Sequence, residues 1–197
     1  MGGTPRRRVF DVRSPTPSQT IGPFFGILIP RRDTLTLASA GTAGQRVTIE
    51  GALRDGAGEP VHDALIEIWQ ADAAGRCHHP DDPRGTGSDG MFGGFGRLHV
   101  DAEGGFVVET VKPGSVPGPD GEPQAPHLVV GLFARGLLTR LVTCIYFDDE
   151  PSNARDPILM RVPPGRRSTL LAERHEPGRY RFDIVLQGPR ETVFFDV

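Results

Sequence analysis

The sequence contains little tyrosine, cysteine and lysine. Its 197 residues include two tyrosines, two cysteines and a single lysine, Lys112. Two cysteines without CxxC spacing argue against a disulfide framework, and they fit a protein of the reducing cytoplasm. No stretch approaches the roughly 18 apolar residues that a membrane-spanning helix needs. The first residues carry charge without an apolar core, so we expect no secretory signal there.

A strong charge of either sign is also missing. The formal net charge is -3 at pH 7, which predicts neither a nucleic-acid partner nor an anionic membrane partner. The apolar content of 37% is ordinary for a globular protein. The length is enough for one domain with a sizeable core.

Glycine and proline, by contrast, are abundant, and they separate short runs that alternate between apolar and polar residues. This pattern predicts an all-β sandwich with long loops, an N-terminal arm and one or two short helices. We expect residues 1–20 to form the arm and residues 21–197 to form a single sandwich domain. One helix is predicted at about Pro164–His175, with Pro177 ending it. The clearest strands are "GFVVETV" (105–111) and "HLVVGLFA" (127–134).

Six blocks occur in an order that resembles the intradiol ring-cleaving dioxygenases, and the resemblance runs from about Pro15 to the C-terminus. Two stretches, "LFARG" (132–136) and "RETVFFDV" (190–197), resemble the α chain of the family's two-chain members. The resemblance implies an all-β enzyme of two related chains that opens a catechol with O2 between its two hydroxylated carbons. The blocks are "TPSQTIGPFF" (16–25), "EIWQADAAGR" (67–76), "TVKPGSVPG" (110–118), "APHLVVGLFARG" (125–136), "IYFDDE" (145–150) and "YRFDIVLQGPRETVFFDV" (180–197).

The resemblance also implies where iron ligands would stand. The family holds Fe(III) with two tyrosines and two histidines, and phenolate oxygen suits this hard ion. The matching positions here carry Cys77, Val116, His127 and Val129, so three of the four have changed type. An arginine that usually precedes the first histidine is replaced by Gln124. We therefore expect no metal in this chain, and we expect the related β chain to carry the Fe(III).

The other candidate ligands have simpler interpretations. Tyr146 and Tyr180 lie within strand patterns at positions that are not ligands in the family. We expect them to be core or edge aromatics with satisfied hydroxyl groups. His62, His99 and His175 lie beside turns or in the predicted helix, and we expect them at the surface.

Two further possibilities stay open. Cys77, His78 or His79 could combine with His127 in an accidental site for a soft metal, although adjacent histidines on an extended segment point in opposite directions. The chain could also be a non-catalytic sandwich that serves as a binding or scaffold protein, because missing ligands predict that role too.

Three residues match family positions that line the substrate pocket over the partner chain's iron. They are Thr20 and Pro23 in "SQTIGPF" and Arg135 in "LFARG". The planar guanidinium of Arg135 suits a substrate carboxylate, either by direct contact or by making the pocket mouth positive. The structural alternatives are a salt bridge at a strand end for Arg135 and an anchoring turn for Thr20 and Pro23.

Overall fold

A computed structural model of the chain describes residues 19–22, 24–82, 84, 92–118 and 120–196. These residues form one short α-helix, twelve β-strands and three 3-10 helices. The α-helix α1 is Phe25–Leu28. The strands are β1 (Thr34–Thr36), β2 (Arg46–Arg54), β3 (Ala64–Gln70), β4 (Phe95–His99), β5 (Gly105–Val111), β6 (Val116–Pro117), β7 (Pro123–Gln124), β8 (His127–Ala134), β9 (Leu141–Phe147), β10 (Leu171–Glu176), β11 (Arg179–Arg181) and β12 (Ile184–Val185). The 3-10 helices are Pro151–Arg155, Leu159–Arg161 and Pro164–Leu170.

The larger sheet has two halves that are joined through β10. Its strand order is β1-β5-β2-β11-β10-β9-β8-β3-β4, with β12 added beside β2. Strands β2 and β5 pair antiparallel, and so do the pairs β3–β4, β3–β8 and β8–β9. Strand β10 pairs antiparallel with β11 on one side and parallel with β9 on the other. Strands β6 and β7 form a separate two-stranded sheet.

Alternating side chains fill one core between these halves. On β8 the inward residues Leu128, Val130 and Leu132 are fully buried, as the period of two along a strand predicts. They belong to the same apolar cluster as Ile49 of β2 and Val108 of β5. The predicted all-β sandwich with long loops is therefore confirmed.

The opposite face of β8 and β9 has a smaller core of its own. Cys144 and Tyr146 of β9 pack there against Leu159 and Leu170 of the 3-10 helices and against Val162 between those helices. The long segment after β9 therefore folds back over the sheet. It covers the face on which the odd-numbered residues of β8 lie.

The helix predicted at Pro164–His175 is wrong in type and in length. The chain forms a 3-10 helix over Pro164–Leu170 and then a strand over Leu171–Glu176. Leu171 and Ala172 pair with Tyr146 and Phe147 of β9. This strand pairing supplies backbone hydrogen bonds that a continuing helix would have to give up.

The surface position predicted for His99 is also wrong. This last residue of β4 is only 5% exposed, and its ring stacks on Phe25 of α1 with 5.7 Å between the centroids. His62 and His175 are exposed, as predicted. Helix α1 packs over the end of β4, and a local sequence pattern carries no signal of that contact.

None of the helices in the described part of the chain is long and apolar enough to cross a membrane.

Candidate functional site

The four positions that match the family's iron ligands meet at one cavity. Cys77, Val116, His127 and Val129 all line a space of about 180 Å³, together with Trp69 of β3. They come from three separate parts of the chain: the loop after β3, strand β6 and the start of β8. The tertiary fold thus gathers residues up to 52 positions apart (129 minus 77) around one point.

Strand register and loop hydrogen bonds hold these side chains in place. Trp69 lies opposite Val129 in the β3–β8 pair, and Val129 lies opposite Cys144 in the β8–β9 pair. The backbone N–H of Cys77 donates to a carboxylate oxygen of Asp82 at 2.8 Å. A second, wider cleft of about 630 Å³ shares Trp69, Cys77 and Val116 with the cavity.

The donor atoms at this cavity do not fit the family's Fe(III). The side chains of Val116 and Val129 have no lone pair to donate, and a thiol replaces the first phenolate. The ring nitrogen Nδ1 of His127 lies 2.7 Å from the carbonyl of Ala125 and donates to it in the tautomer that this contact selects. Burial lowers the pKa of His127, although the Ala125 carbonyl and the charge of Asp156 oppose the shift.

Tyr146 takes part in a buried structural network. Its hydroxyl donates to the Asp156 carboxylate at 3.2 Å. That carboxylate also accepts backbone N–H groups from Ala125, Ile158 and Leu159 at 2.7, 2.9 and 2.6 Å. Burial raises the pKa of Tyr146, and the neighbouring Cys144 and Asp156 raise it further, which opposes phenolate formation. Tyr146 is a core aromatic with a satisfied hydroxyl, as predicted.

Tyr180 likewise has a packed ring and a hydrogen-bonded hydroxyl group. Its ring meets Phe147 edge-on at 4.9 Å, and its hydroxyl donates to Asp149 at 3.2 Å. Burial raises the pKa of Tyr180 to about 12, and the charge of Asp149 adds to the shift. The single lysine, Lys112, reaches the same acidic turn, with its Nζ 3.3 Å from Asp149 and 3.1 Å from Glu150.

The adjacent histidines contact different partners. His78 has a left-handed backbone, with φ at 51°, and its Nε2 lies 2.9 Å from the carboxylate of Asp72. His79 lies against Trp69, with 5.9 Å between the ring centroids. Within residues 19–22, 24–82, 84, 92–118 and 120–196, no group of three or more His, Cys, Asp or Glu side chains could hold a metal ion. The possible soft-metal site at Cys77 and His127 stays a prediction without a third ligand in this part of the chain.

The residues predicted to line the substrate pocket lie elsewhere, at the turn after β8. The Thr20 hydroxyl accepts the N–H of Gly136 at 3.0 Å and contacts the carbonyl of Ala134 at 3.5 Å. It therefore lies beside Arg135, whose Nε donates to the carboxylate of Asp63. Pro23, the third predicted pocket residue, lies outside the described residues.

Large apolar side chains are exposed at two places, in and beside α1 and in the turn after β8. Phe24, Ile27 and Leu28 in and beside α1 are 67%, 75% and 79% exposed, and Leu138 in the turn after β8 is 63% exposed. Phe24, Ile27 and Leu28 lie within five consecutive residues, and exposed apolar groups that lie together are typical of protein–protein contact surfaces. Sequence patterns locate Thr20 and Arg135 here but give no sign of Asp63, which only the fold brings to the arginine.

Together, the sandwich and the converging ligand positions define a chain of the intradiol-dioxygenase type with a changed metal site. The family model described as "Dioxygenase" matches residues 20–188, and the chain belongs to this dioxygenase family.

Three relatives show how far the similarity extends. The protocatechuate 3,4-dioxygenase alpha chain of Burkholderia cepacia is 45% identical over 92% of this chain and 97% of its own length. The beta chain from the same organism is 39% identical over 76% of this chain and 67% of its own length. The solved dioxygenase domain of a dioxygenase–carbohydrate-binding fusion from Streptomyces sp. SirexAA-E has a TM-score of 0.58 and 31% identity. The alignment covers 88% of the present chain and 99% of the solved Streptomyces chain.

Proposed function

We propose that this chain is the α subunit of a protocatechuate 3,4-dioxygenase. The enzyme would use O2 to open protocatechuate between its two hydroxylated carbons, giving 3-carboxy-cis,cis-muconate in the β-ketoadipate pathway of the cytoplasm. The observation that carries the proposal is the cavity lined by Cys77, Val116, His127 and Val129. The four residues stand at the positions of the family's iron ligands. Their side chains, however, are not the two tyrosines and two histidines that hold iron in the family.

The iron therefore belongs to a related β chain, which supplies the metal chemistry. The similarity to both an alpha chain and a beta chain supports a pairing of two related sandwiches. In this assignment no reaction step occurs at the cavity of the present chain. Its contribution is to bind and orient substrate at the edge of the partner's site, and to hold the assembly together.

Arg135 is the residue assigned to the substrate carboxylate. Its Nε is used by Asp63, which leaves both terminal nitrogens of the guanidinium without a partner among the described residues. The side chain is 61% exposed, so it can face a neighbouring chain. A guanidinium fork matches a carboxylate in geometry as well as in charge.

Thr20 and Pro23 complete this chain's wall of the pocket. The hydrogen bond from Gly136 to Thr20 holds the start of the described segment against the turn that carries Arg135. The exposed side chains of Phe24, Ile27 and Leu28 give the same region an apolar surface for the β chain. Of the predicted N-terminal arm, residues 1–20, only Gln19 and Thr20 lie within the described residues. That the arm contacts the partner chain is part of this proposal.

The alternative function is a non-catalytic binding or scaffold protein of the same fold. The test is to purify the chain alone and together with the related chain from its own genome, and to measure bound iron and ring opening of protocatechuate. We expect both only in the co-expressed sample. Stoichiometric iron and activity in the lone chain would overturn the subunit assignment. A lack of complex formation with the related chain would favour the scaffold function.

A further inference from the structure

A separate cleft, away from the cavity of the changed ligand positions, lies where the segment after α1 passes the start of β3 and the end of β4. It has a volume of about 330 Å³ and is lined by Arg31, Arg32, Asp33, His62, His99 and Asp101, among others. This volume is at the small end for ligand sites, so it suits a compact ligand. The residues come from three stretches of chain, and the backbone N–H of His99 donates to the carbonyl of Arg32 at 2.6 Å.

The buried ring of His99 offers this cleft an unused hydrogen-bonding group. Neither ring nitrogen has a hydrogen-bond partner within the described residues, although the ring is almost fully buried. The Pro30 carbonyl lies near enough to favour protonation, but it forms no hydrogen bond of acceptable geometry with either nitrogen. Phe25 stacks on the face of the ring, and the nitrogens lie on its edge. A buried polar group that lacks a partner is costly, so its persistence points to a ligand.

The ring of His99 is a hydrogen-bond donor and does not add a third cation to Arg31 and Arg32 of the cleft. Burial lowers the pKa of His99, and the nearby charge of Arg31 lowers it further. The neutral imidazole then carries one N–H that can donate to a ligand. It does so without adding to the repulsion between cations at the site.

The positive charge of the cleft comes from two arginines. Arg31 and Arg32 are exposed, and neither forms a salt bridge with a carboxylate of the described residues. Both arginines line the cleft, where an oxyanion would offset the repulsion between their charges.

The two carboxylates of the cleft are partly occupied by other groups. Asp101 Oδ1 accepts the backbone N–H groups of Glu103 and Gly105 at 2.8 and 2.6 Å, which closes the turn between β4 and β5. Asp33 accepts the hydroxyl of Thr34 at 3.2 Å. Neither neutralises the arginines by direct contact. The unused groups of the cleft are therefore mainly donors: two guanidiniums and an imidazole N–H.

We propose that this cleft binds a small oxyanion, a phosphate or a carboxylate, through the guanidiniums of Arg31 and Arg32 and the ring N–H of His99. Arginine pairs and a neutral imidazole supply charge-assisted and neutral hydrogen bonds to oxygens in this way. The site is made by this chain's own residues, and it does not depend on the subunit assignment above.

The test is calorimetric titration of the full chain, co-purified with its related chain, with inorganic phosphate and separately with acetate at fixed ionic strength. We expect saturable binding that weakens about tenfold or more in the double variant Arg31→Gln/Arg32→Gln. The matched control Arg155→Gln/Arg190→Gln removes the same charge from exposed positions elsewhere and should stay within about twofold of the original affinity. Tighter binding of phosphate than of acetate would assign phosphate as the natural class, and the reverse would assign a carboxylate.

A further variant separates the site from general ionic attraction. His99→Phe keeps an aromatic ring on Phe25 and removes both nitrogens, so we expect affinity for the preferred anion to fall several-fold while the thermal midpoint of the complex stays close to the original. Three results would each overturn the proposal. They are no saturable binding, an equal loss in the Arg155/Arg190 control, and undiminished binding in the Arg31/Arg32 variant.

Discussion

The Thr20 hydroxyl accepts the backbone N–H of Gly136 across 3.0 Å, although the two residues are 116 positions apart. Gly136 has φ at 86°, a left-handed conformation that favours glycine. The bond therefore fixes the start of the described segment to a turn of defined shape. Arg135 precedes that glycine, so its position depends on both partners.

Replacing this arginine should weaken substrate binding without disturbing the fold. We expect Arg135→Ala to raise KM for protocatechuate about tenfold or more in the two-chain complex, because a charge-assisted contact to the carboxylate is lost. The exposed ion pair with Asp63 contributes little to stability, so the thermal midpoint should hardly change. Bound iron should also stay constant. An unchanged KM would assign Arg135 to structure.

Asp63→Asn is the matched control for this prediction. It removes the charged partner and keeps the guanidinium, so KM should change much less than in Arg135→Ala. If the two variants had equal effects on KM, the ion pair rather than the arginine's own contact with substrate would be responsible.

The cavity of the changed ligand positions should accept iron once donors are restored. We expect the triple variant Cys77→Tyr/Val116→Tyr/Val129→His to bind Fe(III), because these backbone positions already surround one point with His127. Iron analysis and the visible absorption of tyrosinate bound to Fe(III) would measure this, with the related chain's own iron subtracted. The single variant Val129→His should gain no iron, since two histidines alone do not complete the set. A triple variant that folds without gaining iron would contradict this prediction. It would show that residues around the cavity, and not only the ligands, differ from those of an iron-binding chain.

The hydroxyl of Tyr146 should contribute measurably to stability. Tyr146→Phe leaves the buried Asp156 carboxylate with its three backbone donors and removes the fourth. Loss of one hydrogen bond to a buried charge costs about 1–2 kcal/mol, so calorimetry of the complex should show a thermal midpoint lower by a few degrees. Tyr180→Phe is the control, and we expect a smaller shift because Asp149 keeps contacts with Lys112 and Arg174. Equal midpoints for Tyr146→Phe and the original protein would contradict this role.

The hydrogen bonds around Asp72 should make the stability of the protein depend on pH in the acid range. Burial alone would raise the pKa of this carboxyl, but hydrogen bonds from Arg76, His78 and Ala74 outweigh it and hold the pKa below its ordinary value. A lowered pKa adds stability that is fully present above the ordinary aspartate value of about 4 and is lost as pH falls below it. We expect Asp72→Asn to lower the thermal midpoint at pH 7, with the difference from the original protein shrinking towards pH 3. The control Asp120→Asn, at an exposed position, should show no such pH-dependent difference in thermal midpoint. If the difference for Asp72→Asn were the same at every pH, Asp72 would not be the source of the pH dependence.

The strands were the part of the fold that sequence predicted best. The runs 105–111 and 127–134 are strands β5 and β8 with the same bounds, because alternation of apolar residues is a local signal. The failures at Pro164–His175 and His99 have a common cause. Strand pairing with β9 and packing under α1 are long-range contacts, which outweigh local propensity.

The features that bear on function also divide into those that residue types reveal and those that depend on long-range contacts. From the residue types alone, the side chains of Val116 and Val129 cannot bind a metal, because they have no donor atoms. The sequence also determined the alternation that builds the sandwich. The fold was needed to show that Cys77, Val116, His127 and Val129 share one cavity and that Asp63 lies against Arg135. It was also needed to show that the ring nitrogens of His99 are buried without a hydrogen-bond partner among the described residues. Each of these depends on contacts between distant segments, and such contacts form only when the strands pack around their common core.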